Sequence, residues 1–174
     1  LINKKQKLIE LLQEKRQTLI TQAVTKGLDP NAKMKDSGVD WIGEIPEGWK
    51  IKKIKFIADL YTGNSISDEG KAEFDVESDG FPYISTKDID LIFSTIDYDN
   101  GMLIPKNRKD FKVAAEDSIL LCIEGGSAGK KIGYTDRQVC FVNKLCCIKS
   151  RKDNRYIYYY FKTKNCRGYF ELSI

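Results

Sequence analysis

The chain contains no histidine among its 174 residues. This absence removes the commonest general base and the commonest transition-metal ligand from its chemistry, and it leaves serine-based nucleophilic catalysis without an imidazole. The four prolines are isolated from one another: Pro30, Pro46, Pro82 and Pro105. The Pro-Pro-aromatic motif with which amino-methyltransferases of DNA hold a flipped base is therefore missing. No GxGxxG-like cofactor loop follows a predicted strand either, and together these absences favour a binding module over an enzyme.

Long apolar runs are also lacking. No stretch of roughly 18 apolar residues occurs, which excludes a transmembrane helix, and the N-terminus LINKKQKLIELL is too basic and amphipathic for a signal peptide. Five cysteines make an odd count without a CxxC pair, so we expect a reduced, cytoplasmic protein. Because Leu1 rather than Met begins the sequence, we expect either an upstream extension or an excised piece.

The net charge of +4 conceals a strong segregation of charge. Residues 59–99 hold eleven acidic residues against two lysines, whereas residues 143–174 hold eight basic residues against Asp153 and Glu171. Such segregation is common on nucleic-acid-binding surfaces, because Lys and Arg neutralise phosphates. Two ordinary solvated faces would show it as well, and charge alone leaves both interpretations open.

A long helix is predicted over residues 3–25, ended by Gly27 and by Pro30 shortly after it. Such a helix spans about 35 Å and is marginal without a partner for its apolar stripe. We favour pairing with another helix in a coiled coil over docking on its own domain, because the stripe is rich in leucine. The residues predicted to pair follow a spacing of three to four: Ile9, Leu12, Leu19 and Ala23.

Residues 28–49 form a predicted packed connector between this helix and the domain that begins at residue 50. Trp41, Ile45 and Trp49 are large and apolar, and exposing such side chains in a solvated tether would be costly. We therefore expect the connector to pack and to fix the helix relative to that domain.

From residue 50 onward, short apolar runs are broken by Gly, Asp and Asn, which predicts an α+β domain with irregular sheets. The long helix is thus succeeded by a mixed, β-rich domain with short helices. The predicted strands are residues 51–57 (or a strand leading into a brief helix), 81–85, 91–93, 101–104, 118–123, 131–135 and 138–148. Loops are predicted at residues 61–65 and 125–129.

Asp153 or Asn154 is predicted to cap a helix over residues 155–164. Its inner side is predicted to consist of Tyr156, Ile157, Tyr160 and Phe161. Bases could stack on the rings of four tyrosines, which are Tyr156, Tyr158, Tyr159 and Tyr160. Because these residues have helical spacing, we favour packing in the core for them.

Two motifs invite a catalytic interpretation and fail on detail. In residues 124–131 (EGGSAGKK), Glu124 replaces the first glycine of a phosphate-binding loop, and Lys131 stands where the Ser or Thr for magnesium belongs. We interpret the segment as a glycine turn whose lysines can approach a DNA backbone. Glu69 and Lys71 have the Glu-x-Lys spacing of many restriction nucleases, but no Pro-Asp dipeptide precedes them.

Several segments carry a family resemblance. They are the helix LIELLQEKRQTLITQAVTKGLD, the stretch MKDSGVDWIGEIPEGWKIKKIK, residues 80–89 (GFPYISTKDI), the strand–glycine–strand element of residues 117–133, residues 141–143 (FVN), and the helix at residues 153–164. In this pattern the chain resembles the specificity subunit of type I restriction–modification systems. The resemblance implies a spacer helix at residues 1–27, the packed connector at 28–49 and a target recognition domain at 50–174, which stops where the family usually continues.

Complete members of that family carry two recognition domains and two spacer helices. The resemblance therefore implies about half of one subunit, either truncated or half-sized and dimeric. It further implies that each recognition domain reads one half of a split double-stranded DNA site, while paired spacer helices act as a ruler. The second helix would come from the same subunit or from a homodimer partner. Methyltransferase and restriction subunits would perform the chemistry with S-adenosylmethionine, ATP and magnesium, leaving this chain non-catalytic and without cofactor or metal.

Recognition residues vary across the family, so the candidate DNA contacts come from chemistry alone. They are polar or basic side chains in predicted loops beside strands: Asn64, Ser65, Lys87, Arg108, Ser127, Lys130, Lys131, Arg137 and Lys144. Two other interpretations stay open. One is a recognition domain of a single-chain restriction–modification enzyme, and the other is a coiled-coil assembly protein without a DNA role.

Overall fold

The structure is a computed structural model that describes residues 1–67, 70, 74, 79–163 and 166. The chain divides into two compact units, one formed by Leu1–Lys52 with Tyr159–Ile174 and the other by Lys53–Tyr158. A long N-terminal helix precedes a β-rich part with short helices, which confirms the predicted α+β class. Over the described ranges, no helix is both long and apolar enough to cross a bilayer.

Helix α1 spans Ile2–Lys26 and ends at Gly27, whose positive φ of 83° suits a residue without a side chain. Residues 1–16 are all exposed, and burial begins only near the C-terminal end of the helix, where Val24 is 7% exposed. The residues predicted to pair follow this gradient: Ile9, Leu12 and Leu19 are about half exposed and Ala23 is half-buried. The N-terminal part of the apolar stripe is therefore uncovered in the single chain.

The connector folds into a small antiparallel hairpin, β1 (Met34–Asp36) and β2 (Glu44–Pro46). Lys26 at the end of α1 donates from Nζ to the Glu44 carbonyl at 2.6 Å. Ile45 is buried at 3% exposure. The hairpin thus packs beside the C-terminal end of α1.

The two tryptophans of the connector differ in their surroundings. A Cβ placed on Gly27 would lie 3.7 Å from the Trp49 ring, so Trp49 closes on the end of α1. Trp41 remains 37% exposed, with its ring centroid 6.5 Å from that of Tyr160 in the same unit. Large rings that contact their own unit are typical of a folded joint rather than a flexible tether.

The described part of the second unit contains eight strands in two sheets. They are β3 (Ala58–Thr62), β4 (Gly80–Ile84), β5 (Leu103–Pro105), β6 (Val113–Ala114), β7 (Ile119–Cys122), β8 (Ile132–Tyr134), β9 (Val139–Phe141) and β10 (Leu145–Ser150). The first sheet has the order β3-β10-β7-β8 and is antiparallel throughout. The second has the order β5-β4-β9-β6, in which β4 and β9 run parallel.

The core of this unit lies between the two sheets. One apolar cluster joins Ile84, Val139 and Phe141 of the second sheet to Leu120 and Leu145 of the first, all fully buried. All four residues of β7 are buried, which explains why this strand reads as a continuous apolar run.

Several local predictions are confirmed and others are wrong. Residues 51–57 contain a short 3₁₀ turn, Ile54–Phe56, and no strand. The predicted loop at 61–65 begins later, because Tyr61 and Thr62 pair with β10. Residues 91–93 are an exposed turn, and the single strand predicted at 138–148 is split into β9 and β10 by a turn at residues 142–144.

A second helix, α2, spans Asn154–Phe161, and the Asp153 carboxylate caps it by accepting from the Tyr156 amide at 3.0 Å. Ile157 on this helix is buried. Tyr158 and Tyr160 are partly buried, as a core role requires, whereas Tyr156 and Tyr159 are 41% and 37% exposed. The expectation that all four tyrosines belong to the core is therefore wrong for Tyr156 and Tyr159.

Candidate nucleic-acid interface

The strand register brings several chain reversals to one edge of the second unit. In the first sheet, the C-terminal ends of β3 and β7 meet the N-terminal ends of β8 and β10. In the second sheet, β4 and β9 end at this same edge, because the Phe141 carbonyl at the end of β9 accepts from the Asn64 amide just after β3, at 2.9 Å. The loops that leave these strands hold seven of the nine predicted DNA contacts: Asn64, Ser65, Lys87, Ser127, Lys130, Lys131 and Lys144.

Hydrogen bonds tie the lysine-bearing loops together. Lys131 donates from Nζ to the Thr86 carbonyl at 2.8 Å, which joins the β7–β8 loop to the turn that carries Lys87. The Ile123 amide donates to the Lys144 carbonyl at 3.0 Å, which joins the same loop to the β9–β10 turn. We call Lys87, Lys130, Lys131 and Lys144 the lysine edge.

The β7–β8 loop is a tight glycine turn, as predicted. Gly125 and Gly129 adopt positive φ angles of 75° and 70°, and the Gly129 amide donates to the Cys122 carbonyl at 2.8 Å. The Ser127 carbonyl accepts from the Lys130 and Lys131 amides at 3.0 and 3.2 Å. A strand follows the loop rather than a helix, so the arrangement of a nucleotide-binding phosphate loop is absent here.

Asn64 has a structural role that the sequence did not reveal. Its amide group donates to the Asp110 carbonyl at 3.2 Å and accepts from the Lys112 amide at 2.8 Å. The side chain therefore holds the segment before β6 against the edge, and a base contact through it would require these bonds to break. Ser65 is exposed beside it.

Lys112 is a basic residue at this edge that sequence reasoning missed. It is exposed, and its backbone is fixed to Asn64 at the N-terminal end of β6. The signal for it was the basic segment at residues 106–112, KNRKDFK, from which only Arg108 was chosen.

Arg108 and Arg137 lie apart from the lysine edge proper and are held by carboxylates. Arg108 forms two hydrogen bonds to Asp110, at 2.9 and 3.0 Å, and these hold the pKa of that carboxyl below its usual range. Arg137 lies in the turn after β8, at the opposite edge, where it bonds Asp136 at 2.9 Å and lowers the pKa of that carboxyl. Its guanidinium also lies 4.4 Å from the ring centroid of Tyr98. Both guanidinium groups are therefore already paired with carboxylates on the protein surface.

The opposite edge of the first sheet carries a second basic cluster that the sequence did not single out as a site. An open cavity of about 350 Å³ is lined by Asp117, Tyr134, Lys149, Ser150, Arg151, Lys152, Asp153, Asn154 and Arg155. Asn154 is buried and bridges the Ser150 amide to the Asp117 carbonyl. We call residues 149–155 the opposite basic edge.

Carboxylates and thiols are among the described side chains that could bind a metal ion or act as nucleophiles. Among them, no group of three or more Cys, Asp or Glu side chains could hold a metal ion. Burial raises the pKa of the Cys140 thiol to about 12 and also raises the pKa values of Cys146 and Cys147, so these thiols are neutral and poor nucleophiles near neutral pH. The Glu69–Lys71 pair lies outside the described residues.

Comparison with known families identifies the chain. Residues 46–170 match the family model of the type I restriction modification DNA specificity domain. The chain belongs to this family. The match covers both sheets, the loops of the lysine edge and α2. A comparison with curated protein sequences found no match.

Solved structures of specificity subunits share the fold. The HsdS subunit from Thermoanaerobacter tengcongensis superposes with a TM-score of 0.63 at 17% identity, covering 99% of this chain and 39% of that one. The S subunit of a type I restriction-modification system from M. genitalium gives 0.51 at 14% identity, covering 98% and 39%. A chain from a study of type I complex assembly and conformational transition gives 0.53 at 15% identity, covering 92% and 37%. The specificity domain described here thus spans about two fifths of the length of these chains.

Proposed function

We propose that this chain is a non-catalytic DNA-recognition part of a type I restriction–modification assembly and reads one half of a split site. The observation that carries the proposal is the convergence of Lys87, Lys130, Lys131 and Lys144 at one edge of a specificity-family domain. Lysines spaced along such an edge suit a row of phosphates, and polar groups in the same loops suit base edges.

Within this interface the residues have different roles. The lysines contact phosphates and set the register of the domain on the duplex. Ser65 and Ser127 lie in the loops of the same edge and supply hydroxyl groups for base contacts. Asn64 supports the interface without contacting DNA itself, because its amide group fixes the segment that carries Lys112.

Helix α1 supplies the spacing in this proposal. Its exposed N-terminal stripe pairs with a second spacer helix, from the same subunit or from another copy. The hairpin and Trp49 pack on the end of α1, which supports an ordered connector at that end of the helix. An ordered connector would keep the spacing between the two half-sites within a narrow range. Methyltransferase subunits with S-adenosylmethionine, and a restriction subunit with ATP and magnesium, would then be positioned on the selected DNA.

The test of DNA recognition is selection from random duplexes by the chain together with its methyltransferase subunits, across a salt series. We expect one half-site sequence to be enriched. The logarithm of the binding constant should fall linearly with the logarithm of the salt concentration. Binding that ignores salt, or enrichment of no sequence, would contradict the proposal. Because one domain makes only half of the contacts, the selection uses the assembly rather than the chain alone.

The pairing of α1 has its own test. Replacing Leu12 and Leu19 together with Asp places charges on the exposed stripe, so helix association should be lost while the second unit stays folded. Lys7→Asp changes the net charge by the same amount at an exposed position on the opposite side of the helix and serves as the control. Association is measured by sedimentation equilibrium, and its survival in the Leu12/Leu19 variant would disprove the pairing.

A further inference from the structure

Three consecutive large apolar side chains project into solvent from the second unit. Leu91, Ile92 and Phe93 are 50%, 63% and 62% exposed. We call these residues the apolar tip. The sequence predicted a strand here, where alternate residues would have been covered. The observed turn instead exposes all three side chains together, and contiguous apolar patches of this kind mark interaction sites.

The apolar tip is held in one conformation by its own turn. One oxygen of the Asp90 carboxylate accepts from the Ile92 and Phe93 amides, at 2.8 and 2.6 Å. The Asp90 amide donates to the Thr95 carbonyl at 2.9 Å, and Ser94, which is buried, adopts a positive φ of 60°. A preformed tip loses little conformational entropy when a partner covers it.

The hairpin that carries the tip is anchored in the core. Ile89 is fully buried and forms a β-bridge with Ile96 across the hairpin. Ile96 packs on Gly133 of β8 so closely that a Cβ at Gly133 would lie 2.6 Å from it. Below the bridge, the Asp97 amide donates to the Asp88 carbonyl at 2.8 Å. The hairpin is therefore a rigid projection rather than a loose loop.

The charges around the hairpin decide what kind of surface covers the tip. Four exposed carboxylates surround the hairpin: Asp90, Asp97, Asp99 and Asp136. The bases near them are Lys87 at the foot of the hairpin and Arg137, which bonds Asp136 and lies beside Tyr98 and Asp99, so negative charge is in excess. A phosphate backbone would be repelled by these carboxylates, so an apolar wedge into DNA is disfavoured. A protein surface with an apolar cleft and a basic rim would be attracted.

The position of the hairpin indicates which kind of protein would cover the apolar tip. It comes directly after the turn that carries Lys87, so a protein seated on the tip would stand next to DNA held at the lysine edge. Proteins that act on that DNA carry basic surfaces of their own. We propose that the apolar tip and the four carboxylates around the hairpin dock the methyltransferase subunit, an inference that rests on the proposed function.

The experiment compares two variants of the full chain that each replace one exposed phenylalanine. Phe93→Ser truncates the apolar tip, and Phe56→Ser is the control, because the two side chains are 62% and 69% exposed in the same unit. Affinity for the purified methyltransferase subunit and for the selected duplex is measured separately by fluorescence anisotropy, and folding is checked by thermal melting. We expect the tip variant to bind the methyltransferase subunit at least about tenfold more weakly, with DNA affinity of the chain alone unchanged, and the control to behave like the wild type.

A charge variant provides a second readout. Asp99→Lys should weaken binding of the methyltransferase subunit and reduce its dependence on salt, while leaving the tip intact. The docking is overturned if the tip variant keeps its affinity for the methyltransferase subunit, if it loses DNA affinity instead, or if it abolishes self-association of the chain. A wild-type chain that binds duplex DNA with the expected salt dependence but binds no methyltransferase subunit also overturns the docking and leaves DNA binding standing. Binding of the methyltransferase subunit without DNA selection overturns DNA recognition alone.

Discussion

The two basic edges of the second unit differ in what their positive charges contact. At the opposite basic edge, Lys149 donates from Nζ to the Glu116 and Asp117 carbonyls at 2.6 and 3.1 Å, and Arg151 pairs with Asp59 at 2.9 Å. At the lysine edge, Lys87 and Lys144 are exposed, and among the described residues no carboxylate pairs with either. The paired charges at the opposite basic edge stabilise the fold, whereas Lys87 and Lys144 are exposed for contact with a partner.

This difference explains why composition alone was ambiguous. The basic excess of residues 143–174 includes Lys144, just before β10, and the cluster that begins with Lys149 near the end of that strand. A strand of six residues spans roughly 20 Å, so one stretch of sequence supplies both edges. Whether a charge serves folding or binding depends on the acceptors that the fold brings to it.

The largest expected effect concerns the contact between the ends of β3 and β9, beside the lysine edge. A Cβ on Gly63 would lie 1.8 Å from the Phe141 carbonyl oxygen. Gly63→Ala should therefore destabilise the protein by about 3 kcal/mol and disturb the loops that β3 and β9 place together. Chemical denaturation measures the loss. Gly126→Ala in the β7–β8 loop is the control, because a Cβ there meets nothing within 4 Å. Equal stability of the two variants would contradict the described contact.

The second prediction tests whether the opposite basic edge is structural. Asn154→Ala removes both the bond from the Ser150 amide and the bond to the Asp117 carbonyl at a buried position. We expect the free energy of unfolding to fall by about 2 kcal/mol and DNA affinity of the folded variant to stay unchanged. Asn154→Asp keeps the acceptor for Ser150 but sets a carboxylate oxygen against the Asp117 carbonyl, so it should not restore the lost stability. A loss of DNA affinity without a loss of stability would move the interface to this edge.

The third prediction tests the lysine edge directly. Replacing Lys87 and Lys144 with Ala should weaken binding of the selected duplex about 20-fold near 0.15 M salt and lower the salt slope by about two. Stability should stay the same, because both side chains are exposed. Lys52→Ala combined with Lys53→Ala removes the same charge from exposed positions outside this edge and controls for net charge. Equal loss in the two pairs would mean that net charge, rather than the edge, drives binding.

The elements that sequence predicted well are those with strong local signals. The leucine-rich periodicity and Gly27 defined α1, and the apolar run of β7 with glycines after it defined the strand and its turn. Residues 91–93 were misassigned because an apolar run does not reveal whether anything covers it. The Asp90 cap and the positive φ of Ser94 convert that run into a turn.

The candidate site divides in the same way. Choosing polar residues after predicted strands found seven that share an edge, because strand order brings several strand ends together there. The method missed Lys112 and could not foresee the structural bonds of Asn64, since both depend on a contact made across more than 40 residues of sequence. It also could not separate Arg108 and Arg137 from the others, because their carboxylate partners become decisive only through side-chain geometry.

The smallest expected effect belongs to Arg151, and it sharpens the distinction between paired and available charges. Its bond to Asp59 joins two side chains that are 72% and 61% exposed, and exposed ion pairs contribute at most about 1 kcal/mol. Arg151→Ala should therefore leave stability almost unchanged because solvent screens this pair, and Asp59→Ala combined with it should add little further loss. Added salt should reduce even this difference, and the DNA affinity of the variant should match that of the wild type. Arg151→Ala could instead weaken DNA binding as strongly as the double replacement of Lys87 and Lys144. In that case an arginine that is paired with a carboxylate would also bind DNA, and pairing would no longer distinguish the two basic edges.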